Sequence, residues 1–474
     1  MRRTSIVVLS GLILFVAACA ASPASQPPAA AGTATLSEGA RLITGDEAPP
    51  SEDSAFVVQD GKFTSVGRRG QVQGPEGAAR VDLTGKTVMP GIIEAHAHLA
   101  YWKDLTPSAE HFTREQLLSD LQRFAYHGVV AVLSMGADRR EIAWPLRDEL
   151  RAHPRADTAM YLSAGGLAMP KGGPATPLDE AVRVVTNEEE ARREIRELVA
   201  KKADFVKVWQ DIRRELMPRP VIEFLIAEAH RNNLRVVVHS HAVSDFKHLL
   251  RSEVDAFAHP TWRQTEVDPV DDELIALFQA HPNVPVMPGF WTPRNEIYGA
   301  RPYWLDDPLL AETFTQAEIK ALENPKTPGN APQTWARGPV PRSMRKLKAA
   351  GVRFVLGTDM GGGLSLEHDP TPAYVGWSTH IEMESMGKAG LTPSEVISAA
   401  TRNSAQSLGL NQLGMVASGK NADFLVLDAN PLDNIANTRR ISRVYLRGGE
   451  VDRAALKTQL NGGSAAVRRP RTTE

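Results

Sequence analysis

The sequence predicts an α/β protein built on a (β/α)8 barrel, and three observations carry this. Apolar strand-like runs alternate with helix-patterned runs, the strand-like runs number eight, and two small β segments bracket the whole series. Repeated βα units imply a parallel sheet, and eight of them favour a closed barrel over an open one.

In chain order, residues 1 to 19, MRRTSIVVLSGLILFVAAC, read as an export signal. Arg2 and Arg3 supply the positive end, and the apolar run from Ile6 to Val16 is too short to span a bilayer. Two readings of Cys19 stand. It closes a bacterial lipobox and is lipidated as the new N-terminus, or cleavage near residues 18 to 21 releases a soluble product. Cys19 is the only cysteine of the chain, which favours lipidation and excludes disulfides and thiolate ligands. The expected location is therefore outside the cytoplasm, as a periplasmic or cell-envelope lipoprotein or a secreted protein. The membrane is touched only through that anchor. Residues 20 to 35, rich in Ala, Pro and Ser, are a flexible tether.

From residue 56, FVVQDGKFTSVG alternates apolar and polar residues about the turn Asp60-Gly61, a hairpin signature. A second β segment lies at ADFLVLD (422 to 428) and ISRVYLRGGEV (441 to 451). The boundaries that follow are 36–88 with 412–455 for a composite β domain, 89–411 for the barrel, and 456–474 for a tail. The strand-like runs are GIIEAHAHL, then residues 128 to 136, 158 to 166, 204 to 209, 234 to 241, 255 to 260, 284 to 290 and 352 to 359. Between them, EEEARREIRELVAKKA (188 to 203) and PVIEFLIAEAHRNN (220 to 233) repeat their apolar residues at three and four positions, as amphipathic helices do.

Composition excludes several classes of partner. Of 474 residues, 42% are hydrophobic and 23% charged, an ordinary globular balance. The net charge of −2, which falls to −4 once Arg2 and Arg3 are cleaved away, offers no basic excess for a phosphate backbone. Nucleic acid is not expected as a partner; a homo-oligomer is compatible with the sequence.

Ionisable residues recur at the ends of these apolar strands, where burial is costly without a partner or a metal. His96 and His98, two apart on an extended strand, face the same side. Lys207 ends the fourth strand, His239 the fifth, His259 the sixth and Asp359 the eighth. In a barrel these ends converge on one face. A lone histidine at a strand end is more often a hydrogen-bonded rim residue, and His230, His241 and His248 are read that way. The six together make coincidence a poor account. Lys207 bears two readings. As an ammonium among divalent cations it would be repelled, so it is neutral or converted by CO2 to a carbamate whose oxygens bridge two metals. Otherwise it is a structural lysine paired with a carboxylate.

At VMPGIIEAHAHL (88 to 99), ADFVKVW, VVVHSHA (236 to 242), AFAHP, FVLGTDMG (354 to 361), and the stretch from HIEMESMGKAGL to GMVASGKNADFLVLDANPLDNI (380 to 435), the chain resembles the amidohydrolase superfamily. Within it, the likeness is to the imidazolonepropionase-like group that holds metal-dependent prolidases and carboxypeptidases. The resemblance runs from about residue 55 to 451. It implies a TIM barrel with a small β-sandwich made from both chain ends. It also implies that His96, His98 and Asp359 hold a more buried metal, that His239 and His259 hold a more exposed one, and that a carboxylated Lys207 bridges them. Zinc suits the histidine-rich set. Two departures stand out: Glu94 replaces the usual aspartate before His-x-His, and AHP replaces the commoner histidine-glycine after the sixth strand.

The implied reaction is hydrolysis of an amide bond, in a dipeptide or peptide-like substrate, with Asp359 moving the proton between water and leaving nitrogen. A lactonase or phosphotriesterase activity would use the same centre. A single-metal deaminase or cyclic amide hydrolase would carry a glutamate just after the strand-five histidine, whereas the chain reads His239-Ser240-His241-Ala242. A non-catalytic lipoprotein scaffold would have lost some of the six residues. Candidates for binding a substrate carboxylate are Arg294, Tyr298 and Lys171, and the Pro-rich insert from residue 298 to 341 is expected as a lid over the barrel mouth.

Overall fold

The computed structural model describes residues 34–103, 106–174, 178–212, 214–260, 270–289, 303–323, 339–361 and 374–462. The signal segment with Cys19, nearly all of the tether, and the candidates Arg294 and Tyr298 lie outside the described residues.

Seven parallel strands pair in chain order: Ile92–Ala97, Val129–Ser134, Met160–Ala168, Phe205–Trp209, Val236–His239, Ala256–Ala258 and Val286–Met287. The extended segment 353–360 joins the last of them to the first. The amide of Val286 donates to Arg353 O at 3.0 Å on one side; on the other, those of Ala95 and His98 donate to Leu356 O and Met360 O at 2.9 and 2.8 Å. This eighth stave closes the barrel. Strands covered on both faces read as continuous apolar runs, and every residue of Val129–Ser134 and Phe205–Trp209 is buried.

The outer helices follow from local signals. The side chain of Asn187 accepts from the amide of Glu190 and caps Glu188–Ala200, which buries Ala191, Glu194, Ile195 and Leu198 at helical spacing. Helix Arg219–Arg231 likewise buries Val221, Ile222, Leu225, Ile226 and Ala229.

Both chain ends contribute to one mixed eight-stranded sheet. Its order is Gly449–Glu450, Ile441–Leu446, Phe424–Leu427, Thr87–Pro90, Thr35–Leu42, Ser51–Gln59 and Lys62–Arg68, with Ala79–Asp82 also paired to Thr35–Leu42. The expected hairpin turn is present, with Asp60 at φ 51° and Gly61 at φ 75°, the left-handed pair that a tight two-residue turn requires. Phe56, Phe63 and Phe424 meet with ring centroids 5.4 to 5.5 Å apart and seed a core separate from that of the barrel.

Three expected boundaries shift. Thr35, placed in the tether, already belongs to a strand, and the barrel begins at Ile92 because Thr87–Pro90 remains paired in the mixed sheet. The tail expected from 456 opens inside helix Arg453–Gly462. Its Leu456 and Leu460 are buried, and Gln459 donates to Gln122 at 2.9 Å.

The insert also departs from the expected lid over its described part, 303–323. Thr313 Oγ1 lies 2.9 Å from His127 Nε2, Phe314 stacks on the His127 ring, and Arg123 donates to Thr313 O. His127 caps helix Arg114–Tyr126 just before the second strand begins. This part of the insert is therefore anchored at the strand N-terminal end, away from the face where the strands end. Among the described residues no helix is long and apolar enough to cross a membrane.

Candidate metal centre

The strand ends bring the predicted side chains together in two groups. In the inner one, His96 Nε2 and His98 Nε2 each lie 3.1 Å from Asp359 Oδ1, with all three residues buried. Two ligands each about 2.1 Å from one ion stand roughly 3.0–3.4 Å apart at octahedral to tetrahedral angles, so this spacing fits a common cation. His259 Nε2 approaches the other carboxylate oxygen, Asp359 Oδ2, at 3.8 Å.

Backbone strain marks the same place. His259 and Asp359 hold φ at 82° and 54°. Such conformations cost about 1–3 kcal/mol each and persist where the surroundings impose them. Here strand pairing imposes them: the amide of Asp359 donates to His96 O at 2.8 Å and that of His259 to Met287 O at 2.9 Å.

Electrostatics favour neutral imidazoles and an ionised carboxylate. Burial, reinforced by Lys207, brings the pKa of His96 down to about 3, and burial holds His259 well below the ordinary histidine range. Neutral imidazole is the form that binds metal. Burial opposes the charged form of Asp359. The neighbouring His96 and His259, with hydrogen bonds from His96 and His98, outweigh it and keep the pKa well below the usual carboxylate range.

The outer group contains His239, whose Nε2 lies 3.6 Å from Asp211 Oδ2, and His241, whose ring centroid is 4.6 Å from that of His239 and 5.1 Å from that of His259. One ligand atom from each of Asp211, His239 and His241 lies within 4.8 Å of the others, as is also true of His96, His98 and Asp359.

Lys207 is wholly buried on the fourth strand. Among the described residues its Nζ has no hydrogen-bond partner, and it sits 5.3 Å from the Trp209 ring centroid. Burial lowers its pKa from 10.5 to about 7 against the pull of Asp359. Gly136, at φ 86°, makes room for it, since a Cβ there would stand 2.6 Å from Lys207 Cβ. The reading of Lys207 as a structural lysine requires a carboxylate partner, and among the described residues it forms no ion pair. A buried, partnerless amine beside histidines and a carboxylate fits conversion to an anion that two cations could share.

The chain is similar to several known proteins. Residues 309–451 match the amidohydrolase family. The chain is 25% identical to the imidazolonepropionase of Deinococcus radiodurans over 424 residues, covering 84% of this chain and 92% of that one. It is 23% identical to a 5'-deoxyadenosine deaminase of Methanosarcina acetivorans over 420 residues, covering 82% and 83%. Among solved structures, a Xaa-Pro dipeptidase with bound methionine superposes with a TM-score of 0.67 at 19% identity, covering 88% of this chain and 99% of that one.

These similarities support a place for the chain in the amidohydrolase superfamily. The chain is a hydrolase, as are its amidohydrolase relatives, which act on carbon–nitrogen bonds of small molecules and generally use divalent metal.

Glu94, the departure from the usual aspartate, is fully buried. Its Oε1 accepts from the amides of His96 and Thr358, each at 2.9 Å, and burial raises its pKa to about 7. The other departure, Pro260, directly follows the strained His259. No acid follows His239: Ser240 occupies the position and is buried.

His241 corrects the sequence reading. Its sequence position suggests a rim histidine, whereas it is buried inside the cluster. Of its companions, His230 pairs with Asp255 at 2.8 Å and His248 approaches Glu223 at 3.6 Å, both on helices remote from the strand ends. Asp211 was missed, although its even offset from Lys207 was a usable signal. Lys171 is exposed in the loop after the third strand. Its backbone amide donates to Glu215 Oε2 at 3.1 Å, which ties that loop to the one after the fourth strand.

Proposed function

We propose that this amidohydrolase cleaves an amide bond, in a dipeptide or peptide-like substrate, at a two-ion centre bridged by carboxylated Lys207. The observation that carries the reading is the buried Nζ of Lys207, partnerless among the described residues and brought by the barrel to the same face as His96, His98, His239, His259 and Asp359. Its neutral amine would attack CO2, forming a nitrogen–carbon bond and releasing one proton to leave a carbamate anion.

Two divalent ions held there, zinc by the chemistry of the donor set, would lower the pKa of a bound water and polarise the scissile carbonyl. The chain's own residues do the rest. Buried and ionised Asp359 accepts the proton of the attacking water and delivers it to the leaving nitrogen. The lack of an acid after His239 weighs against single-metal deamination, and the export signature favours substrates met outside the cytoplasm, with Cys19 as the anchor.

The test is metal content per chain by elemental analysis of protein prepared with bicarbonate and zinc, beside Lys207→Ala. About two ions per chain, falling to one or none in the variant, would support the bridged centre and justify a screen of dipeptides and lactones. One ion per chain, unchanged in Lys207→Ala, would sink the carbamate and point to single-metal ring opening or deamination.

A further inference from the structure

Strand Phe205–Trp209 carries a second side chain into the barrel besides Lys207. Residues two apart on a strand share a face, so Trp209 points inward with Lys207, and it is 4% exposed. A Cβ on Gly136 would stand 3.1 Å from Trp209 Cη2, and one on Gly166 would stand 2.9 Å from its Cζ3. The far edge of the indole therefore rests on bare backbone where the second and third strands end. The His98 ring lies at 28° to the indole, with centroids 6.5 Å apart. Lys207 Nζ is 5.3 Å from the indole centroid. The same Gly136 leaves room for Lys207 Cβ and Cγ, which a Cβ there would meet at 2.6 and 2.8 Å. The lysine stem thus runs between fixed walls, the Gly136 backbone at its base and the indole at its tip.

We infer that Trp209 is a positioning residue, whose indole holds the Lys207 nitrogen on one heading and braces His98. The inference rests on the carboxylated-lysine reading above. Carboxylation joins Nζ to the carbon of CO2 and releases one proton to solvent, and the product must then reach two cations at once. A free lysine carries rotamer freedom worth about thirtyfold in an equilibrium constant. Whatever restricts the amine beforehand therefore favours the bridged form, because that freedom has already been given up. Among the described residues no hydrogen bond holds Nζ, which leaves packing as the restraint. A tryptophan suits the task, since its rigid ring has only two torsions to fix. Neither glycine can gain a side chain without displacing the ring or Lys207, so three successive strands are shaped around this pair.

The rival account is that Trp209 only fills volume, in which case its replacement lowers stability and nothing else. Full-length protein with saturating zinc is titrated with carbon-13 bicarbonate as wild type, Trp209→Leu, Trp209→Phe and Phe314→Ala. Trp209→Met serves as a second variant without a ring. The readouts are the carbamate carbon-13 resonance and zinc bound per chain. Leucine and methionine fill much of the space without a flat wall, phenylalanine keeps one, and Phe314→Ala removes a buried ring far from the metal centre. The bicarbonate concentration at half-carboxylation should rise about tenfold in the variants without a ring, part of the freedom a lysine regains. It should stay near wild type in Trp209→Phe and Phe314→Ala. An unchanged midpoint in Trp209→Leu or Trp209→Met would overturn the role of Trp209. So would an equal rise in Phe314→Ala, which would trace the effect to stability alone. A wild-type protein with no carbamate resonance at any bicarbonate concentration would instead overturn the carboxylated lysine, and the inference with it.

Discussion

Glu94 Oε1 accepts the backbone amide of Thr358 at 2.9 Å and so ties the first barrel strand to the segment that closes the barrel, one residue before Asp359. The same oxygen accepts the amide of His96 at 2.9 Å. One buried carboxylate thus sets the spacing between the inner histidines and Asp359. Glu94→Ala should leave both amides buried without an acceptor. Each such loss costs about 1–3 kcal/mol, so urea denaturation should show a drop of that order or more. Glu94→Gln, which keeps the accepting oxygen, should recover most of it.

Asp359→Asn keeps the size of the side chain and removes its basicity. Turnover of any amide substrate should fall by about 10² to 10⁴, the usual contribution of a positioned proton-transfer group. Elemental analysis should still find metal, because His96, His98 and Lys207 remain. Near wild-type turnover under saturating zinc would remove Asp359 from the proton pathway.

Phe314 lies in the insert and packs on His127 and Tyr374 at the strand N-terminal end. Phe314→Ala should cost about 3–5 kcal/mol by opening a cavity, read as a lowered Tm. KM should stay within about twofold, since the contact is remote from the metal centre. A large rise in KM would restore the insert to a role over the barrel mouth.

Asp423 anchors the mixed sheet, with its Oδ1 accepting the amide of Arg447 at 3.0 Å while burial raises its pKa to about 6. The folded chain thus binds this proton more tightly than the unfolded chain, whose value is near 3.8. Stability from this group is fully present below about pH 4 and is lost as pH rises through about 6, by on the order of 2–3 kcal/mol. Asp423→Asn should remove that part of the slope in denaturation curves taken from pH 4 to 7. An unchanged slope would assign it to other groups.

What the sequence determined by itself was periodicity and chemical type. Eight apolar runs and their helical partners appear in one dimension because burial selects side chains by their spacing along each element. His96, His98, Lys207, His239, His259 and Asp359 were legible because an ionisable group in an apolar strand is conspicuous. Pairing of side chains across strands was not legible in this way. That His241 belongs with the cluster, that Asp211 faces His239, that Glu94 bridges to Thr358, and that part of the insert anchors on His127 depend on strand register and loop paths. The tertiary structure alone decides these, because distances of 3 to 4 Å between residues up to 264 positions apart follow from how the barrel closes and not from any local preference of the chain.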